Sequence, residues 1–114
     1  MDNRRIDERY PVSLSVELHT MDGVQRATVQ NMSISGMGFY LAKPLQANSE
    51  VTLSLFLVED GIEDETTPPL FLGAHVMWCE AANGGRGYLA GVRFAPLGPK
   101  NRVTLEGFFS RVTA

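Results

Sequence analysis

Apolar side chains recur at every second position over most of this chain. Val12, Leu14, Val16 and Leu18 alternate with Ser13, Ser15, Glu17 and His19, the period of a strand that buries one face. Met21-Asp22-Gly23 follows, and Asp-Gly between two such runs signals a tight hairpin. Residues 24–30 read as the return strand, with looser alternation, and residues 31–36 as a polar break. Met37, Phe39 and Leu41 resume the period until Pro44 ends it. Val51, Leu53, Leu55 and Leu57 form a fourth run. Leu70, Leu72, Ala74, Val76 and Trp78 share one face of a fifth strand over residues 70–79. Past the Asn83-Gly84-Gly85 turn, Tyr88, Ala90, Val92 and Phe94 make a sixth.

The period then changes. Leu105, Phe108, Phe109 and Val112 fall at i, i+3, i+4 and i+7, one face of a helix. Pro99 suits its first turn. Gly107 weakens it by about 1 kcal/mol relative to Ala, so its stability must come from seating that stripe on the strands. Six short strands and one helix predict a mainly all-β fold: a six-stranded antiparallel barrel or strongly curved sheet over residues 12–95. The helix, residues 99–112, would cover an open end or edge. With no strand–helix–strand succession, a parallel dinucleotide-binding sheet is not expected.

At 114 residues the chain fits one domain, large enough for a core without a disulfide or metal staple. Ten basic against thirteen acidic residues give a net charge of −3, which argues against coating a long nucleic acid. The charge is uneven. Glu59, Asp60, Glu63, Asp64 and Glu65 stand together, and the rest of the chain has ten basic against eight acidic residues. Residues 59–69 read as a long solvated hairpin loop that ends in Pro68-Pro69. Cys79 is the single cysteine, so no internal disulfide forms and a reducing, cytoplasmic location is expected. Residues 1–9 lack the apolar core of a secretory signal. Residues 51–58 are too short to span a bilayer, so no membrane insertion is expected. His19 and His75 stand apart, with no Cys or His at ligand spacing, so no metal site is expected.

Two polar clusters carry candidate chemistry. Arg4-Arg5-Ile6-Asp7-Glu8-Arg9 precedes the first strand, which makes residues 1–11 a flexible arm. Arginine presents a planar, permanently charged fork that matches phosphate oxygens and stacks on bases. Read alone, the cluster is equally a solvated terminus neutralised by Asp2, Asp7 and Glu8. Asn31-Met32-Ser33-Ile34-Ser35-Gly36 is either a tight bend or a shelf of short donors and acceptors around a base edge. In the second reading Gly36 lets the backbone approach a ligand. Trp78 either packs in the core or stacks on a base at the barrel rim.

Together the two clusters resemble the PilZ domain, a family of receptors for the bacterial second messenger cyclic di-GMP. Its pattern is Arg-Arg-x-x-x-Arg followed by Asp/Asn-x-Ser-x-x-Gly. Arg4, Arg5 and Arg9 match the first part, and Asn31, Ser33 and Gly36 match the second. Residues 74–78 and 88–94 are similar to the family's final strand pair. The resemblance implies a six-stranded barrel followed by a helix, one domain over residues 1–114, with cyclic di-GMP as ligand and no cofactor. It implies that Arg5 and Arg9 clamp phosphates and stack on guanines, that Asn31 and Ser33 hydrogen-bond the ligand, and that Gly36 keeps the backbone close. An arginine at position 4 implies a stacked pair of ligands per chain. Ser35 and Trp78 stand beside these as further candidates.

The expected function is therefore a receptor whose arm folds over cyclic di-GMP and signals to a downstream protein. The alternative is an adaptor of the same fold that works without nucleotide. Catalysis is not expected, since no nucleophile–base pair or metal cluster accompanies the arginines. Single-stranded nucleic acid is disfavoured by the acidity and by the lack of an aromatic-basic stripe.

Overall fold

The alternating runs become strands β1 (Leu14–Thr20), β2 (Gly23–Met32), β3 (Gly36–Leu41), β4 (Glu50–Glu59), β5 (Ile62–Glu63), β6 (Leu70–Ala81) and β7 (Tyr88–Phe94), followed by helix α1 (Pro99–Thr113). The computed structural model describes residues 14–59, 62–63 and 69–113. Every pairing is antiparallel: β1 with β2, β2 with β3, β3 with β7, β7 with β6, and β6 with β4. β4 then returns to β1, from Leu14↔Leu57 to His19↔Thr52. The six long strands thus close into an antiparallel barrel with one C-terminal helix. Closure pairs the backbone groups that an open sheet would leave at its edges.

Strand limits depart from the expectation in two places. β2 runs on through Met32, which shortens the polar break to residues 33–35. β5 pairs back on the end of β4 through Val58↔Glu63 and Glu59↔Ile62. The acidic hairpin therefore keeps some pairing where a solvated loop was expected. Residues 60–61 and 64–68 of that segment, and the whole of residues 1–13 with Val12 and the arm, lie outside the described residues.

The inward positions fill the barrel. Val16, Leu18, Met37, Leu53, Leu55, Val76 and Ala90 have no accessible surface. Leu45, from the loop after β3, joins the same core. The helix adds Leu105, also fully buried, and packs on β6. Pro99 opens the helix as expected, and the Arg102 amide donates to the Gly98 carbonyl at 2.9 Å. One fully buried leucine contributes about 1.5–3 kcal/mol. The side chains of Phe108, Phe109 and Val112 lie outside the described residues.

Candidate functional site

Strict alternation along β2 and β6 would carry both Asn31 and Trp78 into the barrel, because Ala27 and Val29, like Ala74 and Val76, point inward. Neither side chain goes there. The β2–β3 register slips between Val29 and Asn31, where Gln30 is the extra residue. The β6–β7 register slips between Val76 and Trp78, where Met77 is the extra residue. Each β-bulge turns the following side chain to the outer face. Trp78 is 46% exposed and Asn31 partly exposed. Core burial of Trp78, read from its place after Val76, is therefore corrected by the bulge.

The two bulges lie in one row across four strands. Asn31 pairs with Gly38, Gly38 with Gly91, and Gly91 with Trp78. The central positions of the row carry no side chain, so the outer ones lean over them. A Cβ on Gly38 would lie 3.2 Å from Asn31 Oδ1, and one on Gly91 would lie 2.7 Å from Trp78 Cε2. The result is an outer-face groove of about 390 Å³, bordered by Gln30, Asn31, Met77 and Trp78 with Gly38 and Gly91 among its lining residues. Met77 and Trp78 present apolar surface to it, while Asn31 supplies an amide. Such a groove suits a flat heterocycle with polar edges. Arg93 is exposed on β7 two residues beyond Gly91, and so on the same face.

The polar break is a tight turn next to this row. Ser33 is fully buried. Its amide donates to the Gly36 carbonyl at 2.9 Å, and its Oγ accepts from the Ser35 amide at 3.3 Å. The Ser35 carbonyl accepts from the Phe94 amide at 2.8 Å, which ties the turn to β7. Ser33 thus spends its hydrogen bonds on the turn itself, while Ser35 is exposed. Gly36 also has a local duty. A Cβ there would lie 3.2 Å from the Val92 carbonyl carbon and 3.3 Å from Arg93 Cα, and closer still to the Val92 oxygen. The β7 backbone fills the side of Gly36 on which a Cβ would stand. Ser33 and Gly36 fix the exit of β2, and thereby Asn31.

Arg4, Arg5 and Arg9 lie outside the described residues. The other candidates behave as ordinary structure. Cys79 is partly buried and accepts from the Leu45 amide at 3.4 Å. His19 Nε2 lies 3.1 Å from Ser54 Oγ and 3.8 Å from Glu17 Oε1. Both contacts use the same nitrogen and Ser54 is buried, so the three do not form a proton relay. Among the described residues no group of three His, Cys, Asp or Glu is placed to hold a metal ion. None of their helices is long and apolar enough to cross a membrane. A second groove, about 260 Å³, lies by the β1–β2 turn and the loop after β3, and none of the candidate residues borders it.

Gly38 and Gly91 were missed in the sequence. A signal was present: each interrupts a strand pattern, and glycine inside a strand marks a bulge or a close approach.

The family model described as the PilZ domain matches residues 3–111. No curated protein matches the chain. Among solved structures, the inhibitor of motility MotI/DgrA of Bacillus subtilis is 18% identical with a TM-score of 0.70, over 96% of this chain and 51% of its own. The PilZ domain of YcgR from Escherichia coli, solved with c-di-GMP, is 17% identical with a TM-score of 0.71, over 95% of this chain and 91% of its own. The MrkH–c-di-GMP complex of K. pneumonia is 13% identical with a TM-score of 0.71, over 96% of this chain and 52% of its own. The chain therefore spans about half the length of the first and third.

Proposed function

The chain belongs to the PilZ domain family, and from that premise we propose that it is a cyclic di-GMP receptor that acts through a partner protein. The family consists of binding and adaptor modules, and we assign this chain no enzymatic step and no cofactor. The observation that carries the reading is the row Asn31–Gly38–Gly91–Trp78, an outer-face bay between an amide and an indole. The c-di-GMP bound by the E. coli and K. pneumonia neighbours supports the ligand.

In this proposal residues 1–11 form an arm that folds over the groove, and the domain is single over residues 1–114. Arg5 and Arg9 clamp the phosphates, and Arg4 serves a second, stacked ligand. Asn31 hydrogen-bonds a guanine edge and Trp78 stacks on its face. Ser33 and Gly36 hold the turn that aims Asn31, and Ser35 lies exposed beside it. Each charge-assisted bond contributes about 1.5–3 kcal/mol, so several of them plus stacking support micromolar or tighter binding after the arm is ordered. Ordering the arm creates a new surface for the partner. The single cysteine fits a reducing compartment, and we assign the protein to the cytoplasm.

Titration calorimetry with cyclic di-GMP tests this. Micromolar or tighter binding with two ligands per chain is expected, and Arg5→Ala or Arg9→Ala should remove most of it without lowering the melting temperature. No heat at high micromolar ligand would instead favour a nucleotide-independent adaptor.

A further inference from the structure

Two glycines in the row carry no backbone reason to be glycine. The positive-φ glycines among the described residues are Gly23, Gly84, Gly85 and Gly87. Gly38 and Gly91 are not among them, so an alanine backbone is allowed at both. What is not allowed at Gly91 is the volume. Its Cβ would lie 2.7 Å from Trp78 Cε2 and 3.0 Å from Cζ2, with Nε1 nearer still. These are rigid ring atoms of a side chain on the neighbouring strand. The contact exists because the Met77 bulge turned Trp78 outward and set it opposite Gly91. An indole left 46% exposed beside an exposed Met77 forgoes burial that the core side would have supplied.

We infer that Gly91 is a positioning residue that seats the Trp78 indole over β7 as one wall of the groove, with Gly38 giving Asn31 the matching seat opposite. The inference rests on the proposed ligand for its binding arm. With the indole as that wall, the occupant on the proposed reading is a planar purine-like base that stacks on it. Any side chain at position 91 lifts the indole away from the strand and narrows the bay from below. At Gly38 the clash is milder, 3.2 Å and 3.4 Å to the Asn31 amide atoms, so alanine there shifts a flexible amide and costs less.

Trp78 is the only tryptophan, so fluorescence under tryptophan-selective excitation, which leaves Tyr10, Tyr40 and Tyr88 dark, reports this seat. In ligand-free Gly91→Ala, the emission should shift to the red and acrylamide quenching should increase. Affinity for cyclic di-GMP should fall by about ten-fold, the scale of one lost base–aromatic stack. Gly73→Ala, whose Cβ meets only the Ala95 methyl at 3.6 Å, should match the wild type in both measurements. In a Trp78→Ala background the Gly91→Ala change should have no further effect on affinity. Wild-type emission and quenching in Gly91→Ala would overturn the inference, as would an undiminished ten-fold loss in the Trp78→Ala background. If the wild type binds no cyclic di-GMP, the proposed function fails while the fluorescence comparison still decides the seat.

Discussion

At the scale of single residues, the family motif in this chain divides its labour. Asn31 faces the groove, whereas Ser33 and Gly36 serve the turn beside it. That division makes a prediction. Gly36→Ala places a methyl against the Val92 carbonyl, and neither partner is a flexible tip. We expect a loss of about 1–3 kcal/mol in stability, the usual cost of overpacking, measured by urea unfolding. Ser33→Ala deprives the Ser35 amide of its acceptor, and about 1 kcal/mol is expected from the lost bond. Asn31→Ala should behave oppositely, weakening ligand binding in calorimetry with little change in the urea midpoint. The sequence offered the tight bend as one of two readings of these residues and did not choose between them. Only the position of β7 shows that the space beside Gly36 is taken.

At the scale of elements, alternation located all six barrel strands, since a period of two is a direct consequence of burying one face. Carried strictly through β2 and β6 it fails at two residues in the same way, although the sequence alone places only Trp78 in a strand. A bulge inserts one residue and inverts the face of the next, so Asn31 and Trp78 emerge where the pattern points inward. The helix was legible from its changed period, and Leu105 is its fully buried anchor. Leu105→Ala should cost about 2–5 kcal/mol, as for other leucines removed from cores, and thermal unfolding would register the loss. The ion pair Arg102–Glu106, 3.6 Å long and exposed, should contribute little by comparison.

At the scale of the whole molecule, closure is the governing fact. The pairing of β4 with β1 turns a curved sheet into a barrel with an interior and an outer face, and the groove belongs to the outer face. The charge distribution acts at this scale as well. A chain of net charge −3 repels a long polyanion, yet a small dianion needs only a local clamp. Single-stranded DNA at physiological salt should therefore fail to displace labelled cyclic di-GMP, as judged by competition in fluorescence polarisation.

Taken by itself, the sequence determined the six barrel strands, the helix and the family, because periodicity and motif spacing are local properties of the chain. The tertiary structure alone decided which side chains share a surface. Asn31, Gly38, Gly91 and Trp78 come from four strands spread over most of the barrel. No local pattern couples two bulges to two glycines. Their alignment in one row follows from pairing registers, and a register exists only once the strands have closed on one another.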